Sequence, residues 1–488
     1  MSATAIGLVV LALCLWYAGS ATRLVQLVFI AGVFDAAAGL IVGGFGMPPA
    51  LLPALMLVGL VSTQYLAGRR SIAEGPALHL MAPLLICFAY AAVTAVLLPE
   101  TFAGRIIVWP QKFADIEPQP VPIAPGQGNL NQVAYLAANV ALALATALAA
   151  GRAGTAWRSI VKAYLFSGYL VMVLVAWDLA SRTIGLPFPT SIIYSNPGWS
   201  IVEQNIGGLP RLQGPFPEPS ALAFYLAGLA VACMGLCLRG HRVMRPDLLL
   251  VMACLATFLS TSTTGIAALV VGLPAQLILA ALAGRGAAVR RMIGVLAVPG
   301  TLALVLLAGL LILRPELLDV IAEVVGMTLD KTDSDSFTER SLMNTVAWNA
   351  FLSSGGLGVG WGSTRASSIL PGLLAGGGIV GLFTAIWFTL RLMRLIRRAR
   401  TVAEPGNPAA IAVDCFGAAL AGQLLAAAFS APVITTPIFF VQLGVVGAAA
   451  IRILIDAASR QRQRQPLGRQ AAPAVANEPP PMLQITGR

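Results

Sequence analysis

The sequence predicts an all-α polytopic membrane protein, and composition, charge and hydropathy each point to that class. Of the 488 residues, 58% are hydrophobic, only 10% are charged, and the mean hydropathy is +0.83. Soluble globular proteins carry roughly 25% charged residues, so most of this chain has no water-facing surface to cover. Apolar stretches long enough to cross a bilayer recur along the chain. The composition therefore excludes an ordinary soluble protein.

Hydropathy predicts about 12–13 transmembrane helices in a single domain over residues 1–455. Three long connections interrupt this domain, at residues 99–131, 181–218 and 314–368. Residues 456–488 are polar, basic and Pro-rich, which predicts a disordered cytoplasmic tail. The candidate spans are 4–19, 23–44, 50–67, 77–98, 132–151, 160–180, 219–238, 247–261, 263–284, 292–313, 369–390, 409–428 and 434–455.

The distribution of basic residues predicts the orientation. Twenty-three of the 31 Lys and Arg residues lie in the tail or in every second loop between the predicted spans, and therefore on one side of the membrane. Since positive residues concentrate in cytoplasmic loops, these loops are predicted to be cytoplasmic. The net charge of +11 is then a topology signal, and no nucleic-acid partner is expected. The three long connections become external, and topology does not require their eight basic residues: Arg105, Lys112, Arg182, Arg211, Arg314, Lys331, Arg340 and Arg365.

Few residues are suited to a metal ion or a cofactor. The chain has two histidines, and its six cysteines all lie in apolar stretches, which is typical of small buried residues. Asp330, Asp333 and Asp335 hint at calcium, but the glycine and the terminal glutamate of a calcium loop are missing at the required spacing. The glycines of residues 355–363 follow no predicted strand, which argues against a nucleotide loop. We expect no metal and no cofactor.

The most informative polar stretch is RLQGPFPEPS, residues 211–220. Pro219 suits the first turn of the next helix, so Glu218 is expected at the N-terminus of that helix, seven residues after Arg211. Two interpretations stay open: a catalytic pair, or a capping Glu218 with Arg211 as an interfacial anchor. In the catalytic interpretation, Gln213 and Ser220 become candidates for substrate binding.

The third connection carries two further arginines, Arg340 and Arg365. The planar fork of arginine suits phosphate recognition, so external arginines that converge would form an anion site. The alternative is that Arg340 pairs with Glu339 or Asp335 on the loop surface. Ser336 and Glu339 have the spacing of a capping box, which predicts a short external helix that runs to Gly355. The Gly-rich stretch after it allows turns or close backbone approach.

A polar break, STSTTG, separates two predicted spans at residues 260–265. The hydroxyls of Ser262, Thr263 and Thr264 could bind a sugar or a lipid phosphate. They could equally satisfy the ends of their own helices.

The order of these motifs resembles the O-antigen ligase and Wzy-type polysaccharide polymerase superfamily. RLQGPFPEPS opens a span, STSTTG lies between two spans, and a large external loop carries ERS and GLGVGWG before LLAGGGIVGL. The resemblance covers roughly residues 200–385, and within the superfamily the Arg211–Ser220 stretch is most similar to exopolysaccharide polymerases.

The resemblance implies a GT-C-like, metal-independent glycosyltransferase in the bacterial cytoplasmic membrane, with its active face outward. Its substrate would be oligosaccharide carried on undecaprenyl pyrophosphate, in contact with membrane lipid. Arg211 and Arg340 would hold the pyrophosphate, Glu218 would act as the base, and Arg365 would position substrate. A flippase and a chain-length regulator of the same pathway are the protein partners that this function would involve.

Two alternatives to a polymerase stay open. The first is an O-antigen-type ligase, or another transferase that uses the same donor. Ligases carry a histidine in the region that corresponds to Ser363–Leu373, and this chain has none there. The second alternative is a transporter or lipid flippase, which requires charged residues within the membrane. The candidates for that role are Asp35, Asp178 and Asp414.

Overall fold

The computed structural model describes residues 2–42, 45–111, 119–198, 205–206, 209–313, 335–430 and 435–464. Within these ranges the protein is mostly α-helical, as the sequence predicts. The helices are α1 (Ala5–Trp16), α2 (Ala21–Ala31), α3 (Leu51–Leu66), α4 (Glu74–Thr101), α5 (Gln127–Ala150), α6 (Trp157–Ile184), α7 (Thr190–Ile193), α8 (Pro219–Leu238), α9 (Pro246–Leu259), α10 (Thr263–Leu282), α11 (Gly286–Leu313), α12 (Asp335–Ser353), α13 (Ile369–Val402), α14 (Pro408–Ser430) and α15 (Pro437–Arg464).

Short strands in the connections form three small antiparallel sheets. The first sheet has the order β1-β2-β3, and the others pair β4 with β5 and β6 with β7. In the first sheet Ile41 lies opposite Gly46. The strands are β1 (Ser2–Ala3), β2 (Leu40–Val42), β3 (Phe45–Met47), β4 (Ile107–Val108), β5 (Val121–Pro122), β6 (Asn205–Ile206) and β7 (Leu209–Pro210).

Eight of the described helices are long and apolar enough to cross a membrane: α4, α5, α6, α8, α10, α13, α14 and α15. Four more apolar helices, α1, α2, α3 and α9, are shorter. The longest of these four, α3, has 16 residues and spans about 24 Å, less than the ~30 Å hydrocarbon core of a bilayer. The coarse prediction of a multi-pass membrane protein is confirmed, and its finer count of about 12–13 full spans is not reached by these eight helices.

The chain alternates between two faces of the helix bundle. Helices α4, α6 and α11 end at one face, which we call the long-loop face because the long connections leave from it. The short arginine-containing connections lie at the other, the basic face, for example between α8 and α9. The described helix ends lie within five residues of the predicted limits of the long connections.

The predicted span 23–44 is wrong in its second half. Helix α2 ends at Ala31, and the chain then turns and enters β2 at Leu40. Glycines at 32 and 39 weaken helix formation there. Gly32 also packs so closely that a Cβ would lie 2.5 Å from Ile438 Cγ1. This turn carries Asp35 to the long-loop face.

Helix α8 is one of the two most enclosed spans, with 83% of its apolar window buried. It packs closely on α14 through small residues, which allow helix backbones to approach in a membrane. A Cβ on Gly422 would lie 2.5 Å from the carbonyl oxygen of Ala227, and one on Gly228 would lie 2.7 Å from Gln423 Cγ. This close packing on α14 fixes the position of α8, and with it the position of Glu218 just before the helix.

A buried ionic cluster ties α8, α13 and α14 together at the basic face. Asp414 is 5% exposed. Its carboxylate lies 3.0 Å from Arg239 Nε, 3.0 Å from Arg400 Nη2 and 3.0 Å from His241 Nε2. A desolvated carboxylate requires such partners. The contacts assign Asp414 to a structural role.

Helix α12 and residues 354–368 form what we call the cover on the long-loop face. The predicted external helix is confirmed, and it begins one residue before Ser336, so that Ser336 lies in its first turn. Asn344 Oδ1 of α12 accepts hydrogen bonds from Ser367 N (2.9 Å) and Ser368 N (3.1 Å). Beneath the cover, a small apolar cluster joins Ala350 and Val359 to residues around β4 and β5: Ile106, Val108 and Ile123.

The Gly-rich stretch packs into a break in α13. Ile379 N donates to Gly356 O (3.0 Å), and Val359 N donates to Ala375 O (2.7 Å). Between them Gly378 has a non-helical backbone, with φ +60° and ψ −162°. The close backbone approach that the glycines predict is confirmed.

The predicted tail 456–488 begins too early. Helix α15 continues to Arg464, because Arg452 pairs with Asp456 one turn later (2.5 Å) and Arg460 pairs with Glu404 (3.0 Å). Residues 465–488 lie outside the described part of the chain.

The packing of the cover gives a test at Gly360. Its φ is +93°, and a Cβ there would lie 2.5 Å from Thr94 O, whereas Gly355 has φ +65° with open space around it. We expect Gly360→Ala to cost about 2–4 kcal/mol through backbone strain and overpacking. Gly355→Ala should cost about 1–2 kcal/mol through backbone strain alone. Thermal unfolding of the purified variants checks this ranking, and equal losses would contradict the packing.

Candidate functional site

The stretch from Arg211 to Ser220 is held in place by one carboxylate of α6. Asp178 Oδ2 accepts hydrogen bonds from Gln213 N (3.2 Å) and Gly214 N (3.0 Å). Tyr194 adds a hydrogen bond from its hydroxyl to Gly214 O (2.9 Å). Gly214 has φ +54°, a conformation that favours glycine, and it packs against Val175 of α6. The stretch is therefore fixed before it reaches α8.

Asp178 itself is buried, with 2% of its surface exposed. Its other oxygen, Oδ1, accepts from Arg182 Nε at 2.6 Å. With one oxygen on Arg182 and the other on two backbone N–H groups, Asp178 has the contacts of a structural anchor.

Arg211 is buried at the centre of the site, with 8% of its surface exposed. Its Nε donates to Thr261 Oγ1 at 3.0 Å. Thr261 has φ +51°, a left-handed conformation that threonine rarely adopts, so backbone strain is stored at this contact.

Two other charges act on Arg211. Burial, together with the positive charge of Arg340, lowers the pKa of Arg211 to about 10, and the negative charge of Glu218 opposes this shift. Arg211 still carries its charge at neutral pH, because its pKa stays above 7. The structure thus brings Arg340 and Glu218 each within electrostatic reach of Arg211.

Glu218 is the N-cap residue of α8, and Pro219 is the first helical residue, as the sequence predicts. The Glu218 backbone is extended, and its side chain makes no capping hydrogen bond to the helix. Its carboxylate instead accepts a hydrogen bond from the hydroxyl of Ser220. The half-buried carboxylate is therefore not committed to capping.

The hydroxyl-bearing residues of the STSTTG break differ in their exposure. Ser262 and Thr264 are buried at the start of α10, with 2% and 3% exposed, whereas Thr263 is exposed. The hydroxyl that contacts Arg211 belongs to Thr261, which sequence reasoning did not select. The candidate Gln213 is 1% exposed, and its Nε2 has no hydrogen-bond partner among the described residues.

Arg340 is half-buried in the first turns of α12. The predicted alternative is a surface ion pair of Arg340 with Glu339 or Asp335. Within the described residues Arg340 forms no ion pair with Glu339, and the pair with Asp335 stays a prediction. Arg365 lies elsewhere in the cover, where its backbone N donates to Trp109 O (2.8 Å). The described contacts join Arg365 to the first long connection and do not join it to Arg211.

Sequence reasoning missed Asp35 as a member of this site. The turn after α2 docks onto the Arg211–Ser220 stretch, because Ala36 N donates to Pro215 O at 3.1 Å. Burial, and to a smaller extent the charge of Glu218, raise the pKa of Asp35 to about 7. Asp35 is the only acidic residue among the first 73, and that isolation was the one signal available in the sequence.

Metal-binding groups are scarce in the part of the chain that the structure describes. No cluster of three or more His, Cys, Asp or Glu residues there could hold an ion. The six cysteines are free thiols. Of the three aspartates that hint at calcium, Asp330 and Asp333 lie outside the described residues, and Asp335 is the first residue of α12.

The comparison with known proteins gives no family. No protein-family model matches the chain, and no curated protein matches its sequence.

The anchoring role of Asp178 is testable by stability. Asp178→Ala removes the acceptor of two buried N–H groups and a buried ion pair, so we expect a loss of about 3–5 kcal/mol. Asp247→Ala is the matched control, because Asp247 pairs with an exposed Arg245 at 3.6 Å, and we expect about 1 kcal/mol or less. Thermal or denaturant unfolding in detergent measures both, and a loss at Asp178 no greater than at Asp247 would rule out the anchor.

Proposed function

We propose that the protein is a metal-independent glycosyltransferase that polymerises lipid-linked repeat units of a bacterial surface polysaccharide. The observation that carries this proposal is the grouping of two arginines, Arg211 and Arg340, with the carboxylate of Glu218 at the start of a membrane-spanning helix.

The two arginines suit a phosphate-rich anion. Holding a buried cation beside a second cation costs free energy, and a bound anion offsets that cost. Each guanidinium can donate two parallel hydrogen bonds to phosphate oxygens. A pyrophosphate, with its two phosphate groups, therefore suits a pair of arginines better than a single carboxylate would. The remaining charge, on Glu218, is available for a different task.

The location suits a lipid carrier. Glu218 directly precedes α8, and Thr261 lies in the short turn between α9 and α10, so the charges lie where apolar helices end. A polyprenyl chain would stay in the bilayer while its pyrophosphate reached this level. A water-soluble donor would gain nothing from such a position.

In the proposed step, a hydroxyl of the acceptor sugar attacks the anomeric carbon of the donor glycan. The new carbon–oxygen bond forms as the bond from that carbon to the pyrophosphate oxygen breaks, and the electron pair leaves with the pyrophosphate. Glu218 accepts the hydroxyl proton, and Arg211 and Arg340 stabilise the negative charge that develops on the leaving group. The donor brings its own leaving group, so no nucleotide takes part.

Sequence pattern and charge support the same function. The order of motifs over residues 200–385 resembles the O-antigen ligase and polysaccharide polymerase superfamily. The arginine-rich loops at the basic face favour a cytoplasmic position for that face, which would orient the site outward. We propose the bacterial cytoplasmic membrane as the location and undecaprenyl-pyrophosphate-linked oligosaccharide as the substrate. The lack of a histidine between residues 363 and 373 favours a polymerase over a ligase.

The direct test is polymerisation by the purified protein. It would be incubated with lipid-linked repeat units, without nucleotide and with chelator, and the products would be sized. We expect Glu218→Gln and Arg211→Ala to lower the rate about 100-fold or more, and Arg245→Ala, an exposed arginine of the basic face, to leave it unchanged.

Three outcomes would contradict the proposal or a part of it. Glycan of unchanged length from the wild type, together with solute or lipid movement in liposomes, would favour a transporter or flippase. Full activity of Glu218→Gln would remove Glu218 as the base. Transfer to a different lipid acceptor, without chain extension, would make the protein a ligase.

A further inference from the structure

Asp35 reaches the site through the backbone. Its turn is held on one side by the hydrogen bond from Ala36 N to Pro215 O, and on the other by that from Asn196 N to Ala36 O (3.3 Å). Ser195 contributes a third bond, since its hydroxyl accepts from Ala38 N (3.3 Å). Pro215 is three residues before Glu218. The turn is therefore built onto the same stretch that carries the proposed base.

The electrostatic surroundings of Asp35 are asymmetric. Glu218 is the carboxyl group that acts on it, and Tyr135 of α5 is the other titratable group in electrostatic contact with it. Glu218 also acts on the charge of Arg211. The site thus has a cationic half, Arg211 with Arg340, and an acidic half, Glu218 with Asp35. Glu218 acts on a group in each half, Arg211 and Asp35.

A nearby carboxylate makes a carboxyl group harder to ionise, because two like charges repel each other. Asp35 is half-buried, so it keeps access to water. During transfer, Glu218 would take the proton of the acceptor hydroxyl, and that proton would have to leave before the next cycle. The carboxyl of Asp35, on the turn docked at Pro215, offers that exit.

We propose that Asp35 is a positioning residue that acts through Glu218, as the group that receives the proton Glu218 takes from the acceptor hydroxyl. This inference rests on the proposed function. The step balances: the O–H bond of the sugar breaks, its proton passes to a Glu218 oxygen and then to an Asp35 oxygen, and water accepts it from Asp35. No oxidant or other reactant is needed.

The pKa of about 7 for Asp35 suits this role. Below pH 7 Asp35 already holds a proton and cannot receive another. Above pH 7 it is ionised and can. The rate of transfer should therefore rise as the pH increases through about 7, and this rise should depend on Asp35.

The first experiment follows the carboxyl groups themselves by infrared titration of the whole protein in lipid nanodiscs. We expect one protonated-carboxyl band to be lost with a midpoint near pH 7 and to be missing in Asp35→Asn. In Glu218→Gln, Asp35 is intact, and its midpoint should fall by on the order of one pH unit because a neighbouring negative charge is gone. Asp247→Asn, at the basic face, should leave the band unchanged. A midpoint unaffected by Glu218→Gln would overturn the pairing, whatever the enzymatic activity.

The second experiment is the pH profile of polymerisation. Asp35→Asn should lower the rate at pH 8 by on the order of tenfold and abolish the rise through pH 7, and Asp35→Glu should restore part of both. A lowered rate with an unchanged profile would mean a purely structural role and would overturn the inference. Full activity of Glu218→Gln would instead refute the proposed base, and the infrared titration would still decide whether the two carboxyls are paired.

Discussion

The contact between Asp178 and the backbone of residues 213 and 214 is the interaction on which the rest of the site depends. Arg211 lies just before these two N–H groups, and Glu218 lies four residues after them. Because α6 and α8 cross the membrane, a carboxylate on one fixes the chain that enters the other. Without that anchor, the proline- and glycine-containing stretch between the two helices would have many conformations. The seven-residue spacing would then not fix the positions of Arg211 and Glu218.

The other parts of the site come to this fixed stretch from distant parts of the sequence. Thr261 contacts Arg211 from the turn after α9, Arg340 approaches on the cover, and Asp35 arrives on the turn after α2. Each of these three lies on a segment with its own packing requirement: a left-handed threonine, glycines pressed into a broken α13, and a turn docked on Pro215. These segments bring Thr261, Arg340 and Asp35 to the Arg211–Ser220 stretch at the long-loop face.

Local patterns in the sequence predicted the helices, the long connections, the external helix and the position of Glu218 before Pro219, because hydropathy and capping depend on neighbouring residues. They did not predict that α2 ends at Ala31 or that Asp35 joins the site, since both depend on contacts with residues near Pro215 and Ile438. Sequence reasoning selected Thr263 and missed Thr261 for a similar reason. Which hydroxyl faces Arg211 is decided by one left-handed backbone angle that the composition of the segment does not encode.

The most direct measurement is the affinity of the protein for a polyprenyl pyrophosphate when Asp178 alone is changed. Asp178→Asn keeps Arg211, Arg340 and Glu218. However, it places the NH₂ group of an amide, which can only donate, where the carboxylate accepts hydrogen bonds from Arg182 and from two backbone N–H groups. We predict that binding to the variant in nanodiscs is at least tenfold weaker than to the wild type, while Asp247→Asn binds as the wild type does. Unchanged affinity in Asp178→Asn would show that the site does not depend on this anchor.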